Sequence, residues 1–135
     1  MIKRIVHMLL AAQFNTKAIL ADLQKLHKVK SRYVQPKFKI YDFAEPNECF
    51  RNASKVALAD PNAKVVLGYC FSLGIPFEHA WIEIDGVQYD VTFKPKAFDA
   101  HYEMLKIDSA EIHKYYESTT KVVTIDRYLK SLIGE

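Results

Sequence analysis

Cys49, His79 and Asp90 are the residues of this chain whose types and order suit covalent chemistry. A thiol in the first turn of a helix meets unpaired backbone N–H groups and the positive end of the helix, which favour thiolate over thiol. Such a nucleophile needs a base within hydrogen-bond reach and a third group that orients the base. An imidazole and a carboxylate supply both, and the chemistry would be acyl transfer through a thioester. The elements that carry the three residues decide whether they meet.

In "EPNECFRNASKVALADP", Pro46 restrains the approach, Asn47 is a good N-cap, Glu48 complements the helix start and Asp60-Pro61 ends the run. These signals predict a helix of about eleven residues with Cys49 in its first turn. In "HAWIEIDGVQYDVTF", Asp85-Gly86 lies between runs rich in Ile, Val and Tyr. That is the strongest short-range hairpin signal, because a type I′ turn needs φ > 0 at both central positions. Strands over 79–84 and 87–93 follow, with Ile84 opposite Val87, Trp81 opposite Asp90 and His79 opposite Thr92. Alternation sorts Ala80, Ile82, Ile84, Val87, Tyr89 and Val91 to one face, and His79, Trp81, Glu83, Gln88, Asp90 and Thr92 to the other. His79 and Asp90 become diagonal neighbours, about 7–8 Å apart along the backbone and within reach of planar side chains. A solvated outer face is the alternative reading of the polar row.

With Cys on a helix and His and Asp on successive strands, the sequence resembles transglutaminase-like proteins within the wider papain-like group. The resemblance rests on "NECFRNA", "VVLGYC" and "HAWIEIDGVQYDVT" and covers about a third of the chain, from Asn47 to Phe93. Its most specific parts are Phe50 after the cysteine, the triplet His79-Ala80-Trp81 and the run Asp90-Val91-Thr92. It implies a thiol-dependent hydrolase or acyltransferase of the cysteine peptidase, amidase, deamidase or transglutaminase type, with a protein or peptide substrate and no cofactor or metal. Cys49 would be the nucleophile, His79 the general base and then acid, and Asp90 the group fixing the imidazole tautomer. The Cys49 N–H would be one oxyanion donor. Asn47-Glu48 stand where relatives commonly carry a Gly-Gln type of lead-in, so the second donor is open between Gln35 and Asn47. Losing such a donor typically costs on the order of 10²–10³ in rate. Trp81 is a further candidate on the substrate side, and Glu48 would oppose thiolate formation unless it turns to solvent.

At 135 residues, half of them hydrophobic, the chain reads as one domain over 1–135, large enough to bury roughly two-thirds of its unfolded surface. No apolar run approaches the roughly 18 residues of a membrane span, so no membrane partner is expected. Cys49 and Cys70 are too few for a disulfide framework, and without CxxC or clustered His a structural zinc site is not expected. A reducing cytoplasm fits this usage, with a Cys49-Cys70 bridge as the alternative. Cys70, inside an apolar run, reads as a small core residue. The start "MIKRIVHMLLAAQF" shares a basic beginning and a short apolar stretch with secretory signals, but His7 interrupts it and the spacing suits an amphipathic helix.

Charge divides the chain into a basic helical N-terminal part, 1–39, and a catalytic-type core, 40–135. The first part holds nine Lys or Arg against the single acid Asp22; the rest carries ten basic and fifteen acidic groups, giving nets of +8 and −5. The competing class is therefore a non-catalytic binding or inhibitor protein whose basic N-terminal helices engage nucleic acid or an acidic protein partner. The lack of an RNP motif or zinc finger favours helices that face water or the acidic body. His7, His27, His101 and His113 are scattered, without a pattern.

The remaining signals predict helices over 3–13 and 17–28, the second with Ile19, Leu20, Leu23 and Leu26 inward, and a basic connector over 28–39. A short strand is expected in "FKIYDF", and a longer one in "AKVVLGYCFSLG", where Gly68 marks a bulge or a close backbone approach. "DSAEIHKYYE" reads as a helix with Asp108 and Glu111 as a capping box, and "TIDRYLKSLIGE" as a terminal helix with Ile125, Tyr128, Leu129 and Leu132 on one face. The expected fold is α+β: a small antiparallel sheet with helices on one side and a thiol site where the central helix start meets the sheet.

Overall fold

The computed structural model describes residues 16–134, so the helix expected over 3–13 lies outside the described residues. Helix α1 covers residues 16–27. After it come β1 (Arg32–Val34), β2 (Lys37–Phe38), α2 (Cys49–Ala59), β3 (Ala63–Ser72), β4 (Ile75–Ile84) and β5 (Val87–Asp90). A single 3-10 turn at Pro95–Ala97 leads to β6 (Ala100–Asp108), α3 (Ser109–Ser118) and α4 (Ile125–Leu132). Among the described residues no helix is long and apolar enough to cross a membrane.

The six strands form one sheet in the order β1-β6-β3-β4-β5-β2. Only Gln35 and Pro36 separate β1 from β2 in the chain, yet these strands end opposite edges of that order. Three residue steps reach at most about 11 Å. The two edges must therefore approach each other, and the sheet is rolled nearly shut. The rolling also accounts for a departure from the expected all-antiparallel sheet: β2 pairs with β5 in parallel. Every other pairing is antiparallel, so β1, β3 and β5 run in one direction. The chain continues in that direction from β1 across the seam into β2.

A rolled sheet has an outside and an inside. Outside, Val65, Leu67, Ala80, Ile82 and Ile107 pack against α2, α3 and α4 through Ala53, Val56, Ala57, Ile112, Tyr115 and Ile125, so the helices do lie on one side. Burial of such side chains contributes about 1.5–3 kcal/mol each relative to exposure. Inside, Val66, Cys70 and Trp81 share the space with buried His79, Glu83, Gln88, Asp90, His101 and Glu103. Gln88 of β5 donates to Glu103 Oε1 of β6 at 3.1 Å and to Glu83 Oε1 at 3.2 Å. β5 and β6 are not neighbours in the sheet, so the first bond crosses the interior. Arg32 pairs with Glu103, its Nε at 2.8 Å, and Lys106 reaches Glu83 at 3.4 Å, which balances the buried carboxylates at the rim.

Several expectations need amendment. α2 starts at Cys49 with Glu48 at the cap position, while Asn47 stands outside the helix at φ 62°, a conformation that Asn tolerates better than most residues. Leu26 is 72% exposed, because from its region only Leu23 and Val29 reach the outer core. Leu132 likewise projects from the end of α4. Strand β6 has no clear signal in the sequence. Its inward members include His101 and Glu103, so it lacks hydrophobic alternation, and the β3–β6 register shifts at Leu67/Gly68. The connector expected over 28–39 contains β1 and β2, the strand expected in "FKIYDF" is reduced to Phe38, and the strand expected over 87–93 stops at Asp90. Two further signals hold. Asp108 accepts from Glu111 N at 2.9 Å at the start of α3, and Gly68 marks both a bulge and a close approach.

Candidate active site

The start of α2 is fixed by Asn52, a fully buried amide. Its Oδ1 accepts from Glu45 N at 2.9 Å, and its Nδ2 donates to Glu45 O and to Thr92 Oγ1, both at 2.9 Å. These bonds tie the loop before Cys49, the helix itself and the chain just past β5 into one unit. Glu48 turns away from the thiol towards Arg51, 3.8 Å distant, with both side chains more than half exposed.

The hairpin has the expected turn, with Asp85 at φ 51° and Gly86 at φ 78°, and the pairs Ile84–Val87, Glu83–Gln88 and Ile82–Tyr89. β5 ends at Asp90, so His79 and Thr92 do not form a ladder pair; His79 pairs with Gly68 on its other side. Asp90 folds back on the departing chain, its Oδ1 accepting from Thr92 N and Phe93 N, each at 2.9 Å. Its Oδ2 takes His79 Nε2 at 2.6 Å. Cys49 lies near enough to the same ring to raise its proton affinity, and with Nε2 committed to Asp90, Nδ1 is the nitrogen left for sulfur. The structure thus brings Cys49, His79 and Asp90 together, at 8%, 2% and 0% exposure.

Burial alone would lower the proton affinity of His79. The Asp90 hydrogen bond and charge, with a smaller contribution from the neighbouring Cys49, outweigh it and push the imidazole up to about 9. Burial works against the Asp90 carboxylate as well. The nearby His101 ring, the His79 hydrogen bond and charge, and the Phe93 N–H overcome it and hold Asp90 below the usual carboxylate range. Burial, with the charges of Asp90 and Cys49, pushes the Cys70 thiol far up, so Cys70 stays protonated.

Aromatic rings close the site. Trp81 stacks on His79 at 5.7 Å and donates Nε1 to Gln88 Oε1 at 2.7 Å, while Phe93 and Phe98 lie 5.6 and 5.3 Å from the imidazole. Trp81 is fully buried, so it forms a wall behind the base rather than a surface for substrate. Gln35 is exposed and donates to Tyr33 Oη at 3.0 Å, and Asn47 is exposed ahead of the helix. The two clefts that stand out on the surface lie elsewhere, one lined by Gln24 and Val29 and the other by Tyr115 and Arg127.

Sequence reasoning missed His101. Its Nε2 lies 3.5 Å from Asp90 Oδ2, outside hydrogen-bond geometry, and is buried without a hydrogen-bond partner. It also treated Cys70 as plain core, whereas Cys70, His79 and His101 place their donor atoms within 4.8 Å of one another. Linear spacing holds no sign of this, since the three come from β3, β4 and β6. No family model, curated protein or solved structure matches the chain.

Proposed function

We propose that the protein is a thiol-dependent hydrolase or acyltransferase of the transglutaminase-like, papain-like type, acting on a protein or peptide substrate. The observation that carries this reading is an imidazole hydrogen-bonded to the Asp90 carboxylate with the Cys49 side chain beside it, the thiol being at the first position of a helix. His79 Nδ1 takes the Cys49 S–H proton as the sulfur attacks a substrate carbonyl; a C–S bond forms while the carbonyl π pair moves to oxygen. Cys49 N–H, one of the helix-start donors without an intrahelical partner, faces that charge. Collapse breaks the bond to the leaving amine, which departs with the His79 proton and leaves a thioester. Water, or an acceptor amine, then gives its proton to His79 as it attacks, and the thiol is released. Asp90 keeps the ring in the tautomer that presents Nδ1 to sulfur.

The test is mass spectrometry of the intact protein after exposure to a panel of acylating and alkylating probes. Cys49 should carry a covalent adduct with a subset of acyl groups, and the acyl-enzyme should decay on addition of an amine. A folded protein whose Cys49 takes no adduct while its Cys70 does would overturn the reading.

A further inference from the structure

We infer that Cys70, His79 and His101 bind a thiophilic divalent cation, Zn²⁺, inside the rolled sheet, and that the bound ion withdraws His79 from Cys49. The metal-binding half stands by itself; the inhibitory half rests on the thiol chemistry proposed above.

Two independent observations carry the site. One is the donor set: a sulfur and two imidazole nitrogens from three adjacent strands, each residue buried and all three donor atoms within 4.8 Å. Tetrahedral zinc, with bonds of about 2.3 Å to sulfur and about 2.0–2.1 Å to nitrogen, holds such donors roughly 3.3–3.8 Å apart, so rotamer adjustment of about 1 Å closes the site. Nitrogen and thiolate donors favour zinc over magnesium or calcium. The other observation is His101 Nε2, buried and without a hydrogen-bond partner. A polar atom in that condition costs about 1–3 kcal/mol, and a ligand removes the cost. Asp90 Oδ2, 2.6 Å from His79 Nε2 and 3.5 Å from His101 Nε2, supplies the second negative charge beside the thiolate. Ion, thiolate and carboxylate then sum to neutral in a buried space. Binding exchanges the Cys70 S–H bond for an S–Zn bond and releases the proton to buffer; no electron moves.

Chelator-stripped protein is titrated with Zn²⁺ by calorimetry, desalted and assayed for metal, and Co²⁺ is used as an optical probe. One equivalent of zinc should survive desalting, and cobalt should give tetrahedral bands with a thiolate charge-transfer band. Cys70→Ala, Cys70→Ser and His101→Gln, each checked for folding by melting curve, should lose the retained ion, while Cys49→Ala keeps it. One equivalent of zinc should slow alkylation of Cys49 at least tenfold in the parent protein and not in His101→Gln. Zinc retained despite folded Cys70 and His101 variants, or a charge-transfer band lost only with Cys49→Ala, would overturn the site, as would no retained zinc. Zinc retention by a protein whose Cys49 stays inert even after chelator stripping would sink the enzyme reading and leave the metal site standing; a reactive Cys49 in a protein that retains no zinc would do the reverse.

Discussion

Gly68 faces His79 across the β3–β4 ladder, and the space a side chain would need there is already filled by Tyr102 O, Glu103 Cα and the Trp81 ring. Two of these are backbone atoms that cannot turn aside. The missing side chain lets β6 bulge close to β3 and lets Trp81 pack beside the imidazole. Gly68→Ala should therefore destabilise by at least the ~1–3 kcal/mol usual for over-packing. Urea unfolding measures it, and a midpoint unchanged from the parent would show that the close approach is dispensable.

The two thiols should differ in reactivity. Cys49 opens α2 beside His79, whereas Cys70 is fully buried and held protonated. Iodoacetamide at neutral pH should label Cys49 well before Cys70. Peptide mapping of partially labelled protein reads the ratio, and faster Cys70 would remove the chemical basis of the proposed reaction.

If the triad acts as a unit, Cys49→Ala and His79→Ala should each remove nearly all turnover, and the double variant should lose little more. Asp90→Asn should lower kcat by orders of magnitude with KM little changed, through the wrong tautomer. Because Asp90 is fully buried and bonded to Thr92 and Phe93 N–H groups, this variant should also cost stability, unlike a carboxylate in an open cleft. Independent, additive losses in the Cys49 and His79 variants would count against a shared mechanism.

Chelator-treated protein should lose stability between neutral and alkaline pH. His79 faces Asp90, Cys49, Cys70 and His101, and its folded value of about 9 exceeds the 6.5 of an ordinary imidazole. Its stabilising contribution is thus complete below pH 6.5 and fades as pH rises through 9, a loss on the order of 3 kcal/mol at 1.36 kcal/mol per unit. Asp90, held low, contributes above the ordinary carboxylate range and loses that contribution in acid. Urea midpoints from pH 6 to 10 should fall in the parent and flatten in Asp90→Asn; a flat parent curve would contradict the pairing.

Phe98 packs against Val66, Cys70 and Trp81 as well as His79, and so helps close the site. Phe98→Ala should raise the labelling rate of bulky electrophiles relative to iodoacetamide. An unchanged ratio would place the route to Cys49 elsewhere.

The hairpin and the reactive helix were legible because their signals are local. Asp85-Gly86 sets its own turn, and Asp60-Pro61 ends its own helix. Alternation placed His79 and Asp90 on one face without any tertiary information. What alternation could not tell was that this face is an interior, because a polar row looks the same in water and inside a rolled sheet. His101 and Glu103 made β6 look like a surface segment for the same reason. The parallel β2–β5 pair was hidden too, since β2 is only two residues long and its partner lies some fifty positions away.

The seam between β1 and β2 also bears on how the molecule is made. β6 lies between β1 and β3, and Arg32 pairs with Glu103, 71 positions later. During synthesis from the N-terminus, Cys49, His79 and Asp90 all leave the ribosome before β6 exists. Contacts of such long separation are formed slowly, because loop closure must precede any gain from pairing. The nascent chain therefore carries all three groups before the ring is closed, and His79 and Asp90 gain His101 as a neighbour only when residues 100–108 arrive.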